Sequence, residues 1–149
     1  MSSLPPELAG PVEQLRVKLV EINGSEQTCM TNAAARASQG QRLPETQAIM
    51  ARCRQTSAAA AASAINIFLD KCSHIGRPAT SLGEAAILAA TARSVSDFWA
   101  KSESNAAALA SEAAAELSAL GPDKTIQAIN NIYSDRVSSI SRYFEQLTT

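Results

Sequence analysis

From Leu88 to Leu120 the chain places Leu88, Ala92, Val95, Trp99, Ser102, Ala106, Leu109, Ala113, Leu117 and Leu120 at steps of three and four. That spacing keeps one face of a single helix apolar throughout. Begun at Ser81 and ended by Gly121-Pro122, such a helix is about 60 Å long at about 1.5 Å per residue. No segment of the sequence alternates apolar and polar residues with a period of two. The chain is therefore expected to be all-α. A stripe this long also needs partner helices of similar length to cover it.

Two such partners are written on either side. Pro44 opens a pattern that runs through Ile49, Met50, Cys53, Ser57, Ala60, Ala61, Ala64, Phe68 and Cys72 to Ile75, where Gly76 and Pro78 close it. After Gly121-Pro122, Asp123 can cap a last helix carrying Ile126, Ile129, Tyr133, Val137, Ile140, Phe144 and Leu147 on one face. Ser81-Leu82-Gly83-Glu84 between them has the form of a capping box, with each end bonding back to the other's backbone. Nearer the N-terminus, Pro11 suits a first turn and Val12, Leu15, Leu19 and Ile22 follow on one face. Asn23-Gly24 then predicts a stop, and Ser25 a second short helix that ends at Gly40. The expected architecture is an elongated antiparallel bundle of three long helices plus one or two short N-terminal helices. It forms one domain over 1–149, with residues 1–10 short and irregular.

The apolar content is 46%, but aromatic residues supply only 4%. Much of the rest is alanine, as in Ala58 to Ala64, a run broken only by Ser63. Burying alanine yields little because the gain scales with apolar area. Small side chains instead let two helix backbones approach closely, while Ile65, Phe68 and Leu69 anchor the end of the run. The run is too short and too soon followed by Asp70 and Lys71 to span a membrane.

Net charge is −1, which gives no global field for nucleic acid. Basic residues dominate from Glu26 to Arg77 and acidic ones from Pro78 to Gly121, as expected of two helices whose exposed edges attract. The N-terminal sequence has neither the basic nor the apolar region of a secretory signal. Cys29, Cys53 and Cys72 are odd in number and widely spaced, which favours small buried thiols and a cytoplasmic setting.

Catalytic patterns are not found. His74 is the single histidine, and with Cys72 it falls short of the three or four ligands zinc needs. Glu112 and Glu116 share a helix face that reads as solvated. No Gly-rich phosphate loop and no nucleophile elbow occurs. The chain is expected to be non-enzymatic, without cofactor or metal. Two groups remain as candidates. Phe68, Leu69, Phe98, Trp99, Tyr143 and Phe144 form a candidate interaction surface, and Arg52 and Arg54 are candidate contacts for a small anionic ligand.

The stretch from Pro44 to about Leu120 resembles the phasins, small helical proteins that coat polyhydroxyalkanoate granules in bacteria. The likeness rests on the alanine-rich helix from Ala58 to Ile75 and the break at Gly76-Arg77-Pro78. It continues through Glu84-Ala85-Ala86-Ile87-Leu88, then Arg93 and Phe98, then Ala106-Ala107-Ala108-Leu109-Ala110. The resemblance implies a non-enzymatic coat, often oligomeric, whose apolar faces meet a hydrophobic granule surface. The bare sequence leaves two other roles open. One is a self-assembling or partner-binding subunit or adaptor of a filament, virion, secretion or inhibitor system. The other is a helical sensor bundle for a small ligand.

Overall fold

The computed structural model describes residues 4–37, 39–75 and 82–149. A 3-10 turn at Pro6–Leu8 leads into α1 (Ala9–Ala37), followed by α2 (Leu43–Ile75) and α3 (Leu82–Ala115). The one-turn α4 (Leu117–Leu120) then joins α5 (Pro122–Thr148). No strand occurs among the described residues. The protein is an all-α bundle of four long helices, not of three long helices with one or two short N-terminal ones.

The difference lies at Asn23-Gly24, where α1 runs on without a stop. Asn23 is fully buried, and its Nδ2 donates to the Tyr133 carbonyl of α5 at 3.0 Å. A glycine inside a helix costs about 1 kcal/mol relative to alanine. Packing along a 29-residue helix outweighs it. The stop falls instead near Gly40, whose φ of 89° lies in the left-handed region that glycine adopts freely. Residues 6–10, expected to be irregular, are helical, and Leu8 is fully buried.

Two other expectations change. The long third helix is offset at Glu116, and α5 begins after Gly121 with no side-chain cap from Asp123. Leu109, placed on the inner stripe by its spacing, is 41% exposed, while Thr91 and Ala110 are buried. The proposed cap at Ser81 and the break at Gly76 to Pro78 lie outside the described residues.

Adjacent helices run in opposite directions around a closed ring. Gln47 Nε2 donates to the Ala114 carbonyl and Arg54 Nη1 to the Ala107 carbonyl, so numbers rise along α2 as they fall along α3. Gln27 with Asn130 sets the same relation for α1 and α5, and Ser94 with Tyr143 for α3 and α5. Lys71 Nζ to Gln14 Oε1 and a disulfide between Cys29 and Cys53 do so for α1 and α2. α1 packs on α2 and α5 more extensively than α3 does.

The disulfide corrects the sequence expectation for the cysteines. Cys29 is exposed, and its Cα lies 5.8 Å from that of Cys53, on the neighbouring helix. Spacing along one helix rules out only a bond between Cys53 and Cys72, which stand about 28 Å apart at about 1.5 Å per residue. Antiparallel packing of α1 on α2 brings Cys29 to Cys53, a pairing that no local spacing encodes. Cys72 alone is a free, buried thiol, which burial makes harder to ionise. The ground for a reducing compartment is thereby removed.

Candidate functional site

The bundle contains two apolar cores. The first gathers Leu8, Leu15, Leu19 and Ile22 of the N-terminal segment with Phe68 and Cys72 of α2, Leu88 and Trp99 of α3, and Ile140 and Phe144 of α5. The second gathers Met30, Ala33 and Ala34 with Met50 and Cys53, Ala110, Ala113 and Ala114, and Ile129 and Tyr133. Between them, every long helix contributes polar residues to one layer. These are Asn23 and Glu26 from α1, Ser57 from α2, Ser102 and Glu103 from α3, and Arg136 from α5.

At its centre, Arg136 Nη1 lies 3.7 Å from Glu26 Oε2, and both side chains are 7% exposed. Arg136 Nε donates to Ser102 Oγ at 3.1 Å, and its guanidinium carbon sits 4.2 Å from the Trp99 ring centroid. That is a cation–π contact on the face of the most favourable ring. Ser57 and the Tyr133 hydroxyl face the same carboxylate. Burial nevertheless dominates the titration. It raises the Glu26 pKa despite the neighbouring Arg136, and it lowers that of Arg136 despite Glu26. It also raises the Tyr133 pKa, with Glu26 acting in the same direction.

A crevice of about 230 Å³ opens beside this layer, between α2 and α3. Glu26, Arg54, Glu103 and Arg136 supply its charges. Its walls are thinned by alanines, among them Ala58 at the start of the run and Ala106 and Ala107 opposite. Arg54 is held at the rim by the Ala107 carbonyl at 3.1 Å and by Ser111 Oγ. Its Nε is buried without a hydrogen-bond partner, and no carboxylate lies within ion-pair distance among the described residues. Glu103 is half-buried and likewise forms no ion pair within 4.0 Å among them. The attraction expected between a basic α2 and an acidic α3 thus takes another form. Arg54 bonds a backbone carbonyl and a hydroxyl of α3, not a carboxylate.

The other candidates are dispersed. Arg52 is exposed, and two residues along a helix turn it about 200° from Arg54. Phe68, Trp99 and Phe144 are each at most 4% exposed and belong to the first core, so they are interior side chains of the folded bundle. Leu69, Phe98 and Tyr143 are half-buried against it. Phe98 and Tyr143 stack with centroids 4.0 Å apart, and the Tyr143 hydroxyl pairs with Ser94 Oγ at 2.6 Å. The aromatics therefore engage one another across α3 and α5.

His74 is exposed at the end of α2, with Nδ1 2.9 Å from the Asp70 carbonyl oxygen. No group of three or more potential ligands could hold a metal ion among the described residues.

Sequence reasoning missed Glu26, Glu103 and Arg136. A signal existed for two of them. Glu26 steps by four from Ile22 and to Met30, and Arg136 steps by three from Tyr133 and by four to Ile140. Both are charges written at inner positions of an otherwise apolar stripe. Compared with protein families, curated proteins and solved structures, the chain finds no match.

Proposed function

We propose that the chain is a non-enzymatic binding module, a helical bundle that holds a small polar ligand in the crevice between α2 and α3. One observation carries this reading. Arg54 and Glu103 border the same crevice, and neither has an ion-pair partner within 4.0 Å among the described residues. Side chains left open beside a buried ionic layer are well placed to exchange water for ligand. The size is informative too. At about 230 Å³ the crevice lies below the roughly 300 Å³ at which drug-sized sites begin, so it suits a small metabolite.

A coat or assembly role would draw on apolar helix faces. Among the described residues of the closed bundle the large exposed apolar ones are Val17, Ile67, Leu82, Leu109 and Leu120, spread over four helices. Granule coating would therefore require the bundle to open. The disulfide favours an oxidising setting for the working protein.

Thermal melts in the presence of a panel of small polar metabolites test the proposal. A ligand at about a hundred times its Kd should stabilise the fold by about 2.7 kcal/mol. Ala107→Phe, which fills the crevice, should keep the helical circular dichroism and lose the response. A wild-type protein indifferent to the whole panel, or an Ala107→Phe variant that responds like wild type, would count against it.

A further inference from the structure

We infer that the ligand of this crevice is a small zwitterion of the free amino acid class, with its carboxylate on Arg54 and its ammonium at Glu103. The inference rests on the ligand-binding reading above and adds the chemistry of the ligand.

Charge balance carries it. Two guanidinium groups and two carboxylates border the crevice. Glu26 and Arg136 face each other at 3.7 Å within the bundle, and each also feels the second charge of the crevice, Arg54 acting on Glu26 and Glu103 on Arg136. Arg54 and Glu103 themselves form no ion pair within 4.0 Å among the described residues. A simple anion would compensate Arg54 and leave Glu103 facing added negative charge. A simple cation would do the reverse. A molecule carrying both charges satisfies both groups, and no uncompensated charge remains at the layer.

Spacing supports the same choice. The Arg54 guanidinium bonds the Ala107 carbonyl. Ala107 stands four residues beyond Glu103, about 6 Å along α3. Their anchor points on α3 are thus about one helical turn apart. Opposite charges separated by a few bonds can meet both, as the carboxylate and ammonium of an amino acid do. The alanine walls at Ala58 and Ala106 leave room for a small side chain between the helices. With Nη1 of Arg54 bonded to α3 and Nε buried, Nη2 is the donor left to meet a carboxylate.

Titration calorimetry separates the outcomes. The probes are the free amino acids, the same compounds as N-acetyl derivatives lacking the ammonium, and as primary amides lacking the carboxylate. The best amino acid should lose about tenfold or more in affinity when either charge is removed. Glu103→Gln should erase the preference for the free amine and retain the preference for the carboxylate. Arg54→Gln should do the opposite, and Arg54→Lys should restore part of it. Circular dichroism and melting of each variant establish that the fold is retained. If N-acetyl derivatives bind as tightly as free amino acids and Glu103→Gln changes nothing, the zwitterion is wrong while a carboxylate site stands. If no amino acid and no singly charged derivative binds, the zwitterion is overturned. Stabilisation by another metabolite, abolished by Ala107→Phe, would then leave the crevice as a binding site of different chemistry.

Discussion

The two apolar cores on either side of the Glu26–Arg136 layer are built from different material. One is filled by leucine, isoleucine, phenylalanine and tryptophan. The other relies on alanines from α1 and α3, two methionines, Ile129 and Tyr133, and it alone carries the disulfide, from Cys29 to Cys53. Burial of large side chains yields far more than burial of alanine, in proportion to area. The alanine-rich end gains less in this way, and a covalent link ties its α1 and α2 walls together. The contrast teaches that this bundle is held by two means, one at each end. In the charged layer between them Glu26 of α1 stands opposite Arg136 of α5.

The largest test of the contrast is Phe144→Ala in the large-residue core. It should cost about 3–5 kcal/mol in urea unfolding. A loss below 1 kcal/mol would mean that this core does not carry the fold. Next comes the disulfide. Its sequence separation is 24 residues, and its reduction or Cys53→Ser should cost about 2–4 kcal/mol. Melts with and without reductant measure this, and no change would break the contrast at the alanine end.

Overpacking comes third. Ala61 and Ala110 are fully buried, and Ala61→Leu or Ala110→Leu should destabilise by about 1–3 kcal/mol. A neutral result at Ala110 would show slack in the alanine-rich core. The smallest effect is on pH dependence. Burial raises the Glu26 pKa above its ordinary 4.5. The folded state therefore holds this proton more tightly than the unfolded state. The stability linked to it is full below pH 4.5 and is lost as pH rises through the raised value. Relative to Glu26→Gln, wild-type stability should fall across that window. Parallel pH profiles for the two proteins would contradict the burial of this carboxylate.

Most of the architecture was legible because it depends on local periodicity. The stripes of α2 and α5 emerge nearly as written, down to Met50, Cys53, Phe68, Ile140 and Phe144. What failed depended on neighbours. Asn23-Gly24 has the composition of a helix stop, and only the Tyr133 carbonyl across the interface explains why the helix continues. The alanine run suggested a continuous close-packed face, but Ala59, Ala60 and Ala62 are exposed and Ala61 alone is fully buried. Its other contribution, at Ala58, is to keep the crevice open. The candidate site was half visible. Arg54 was singled out by charge, yet Arg52 was given equal standing, since spacing alone does not say which arginine faces α3. Nothing in the spacing of Glu103 sets it apart from the solvated carboxylates of the same helix, and the fold alone puts it on the crevice that Arg54 borders.

The crevice beside the charged layer is the proposed binding site. Two-dimensional NMR of uniformly nitrogen-labelled protein, titrated with a mixture of free amino acids, tests it most directly. The account predicts saturable shifts confined to amides around Ala51, Arg54, Ala58, Glu103, Ala106 and Ala107, the residues that line the crevice, together with the Arg54 side-chain signal. Spectra that do not move, or shifts that centre on another face of the bundle, would contradict it.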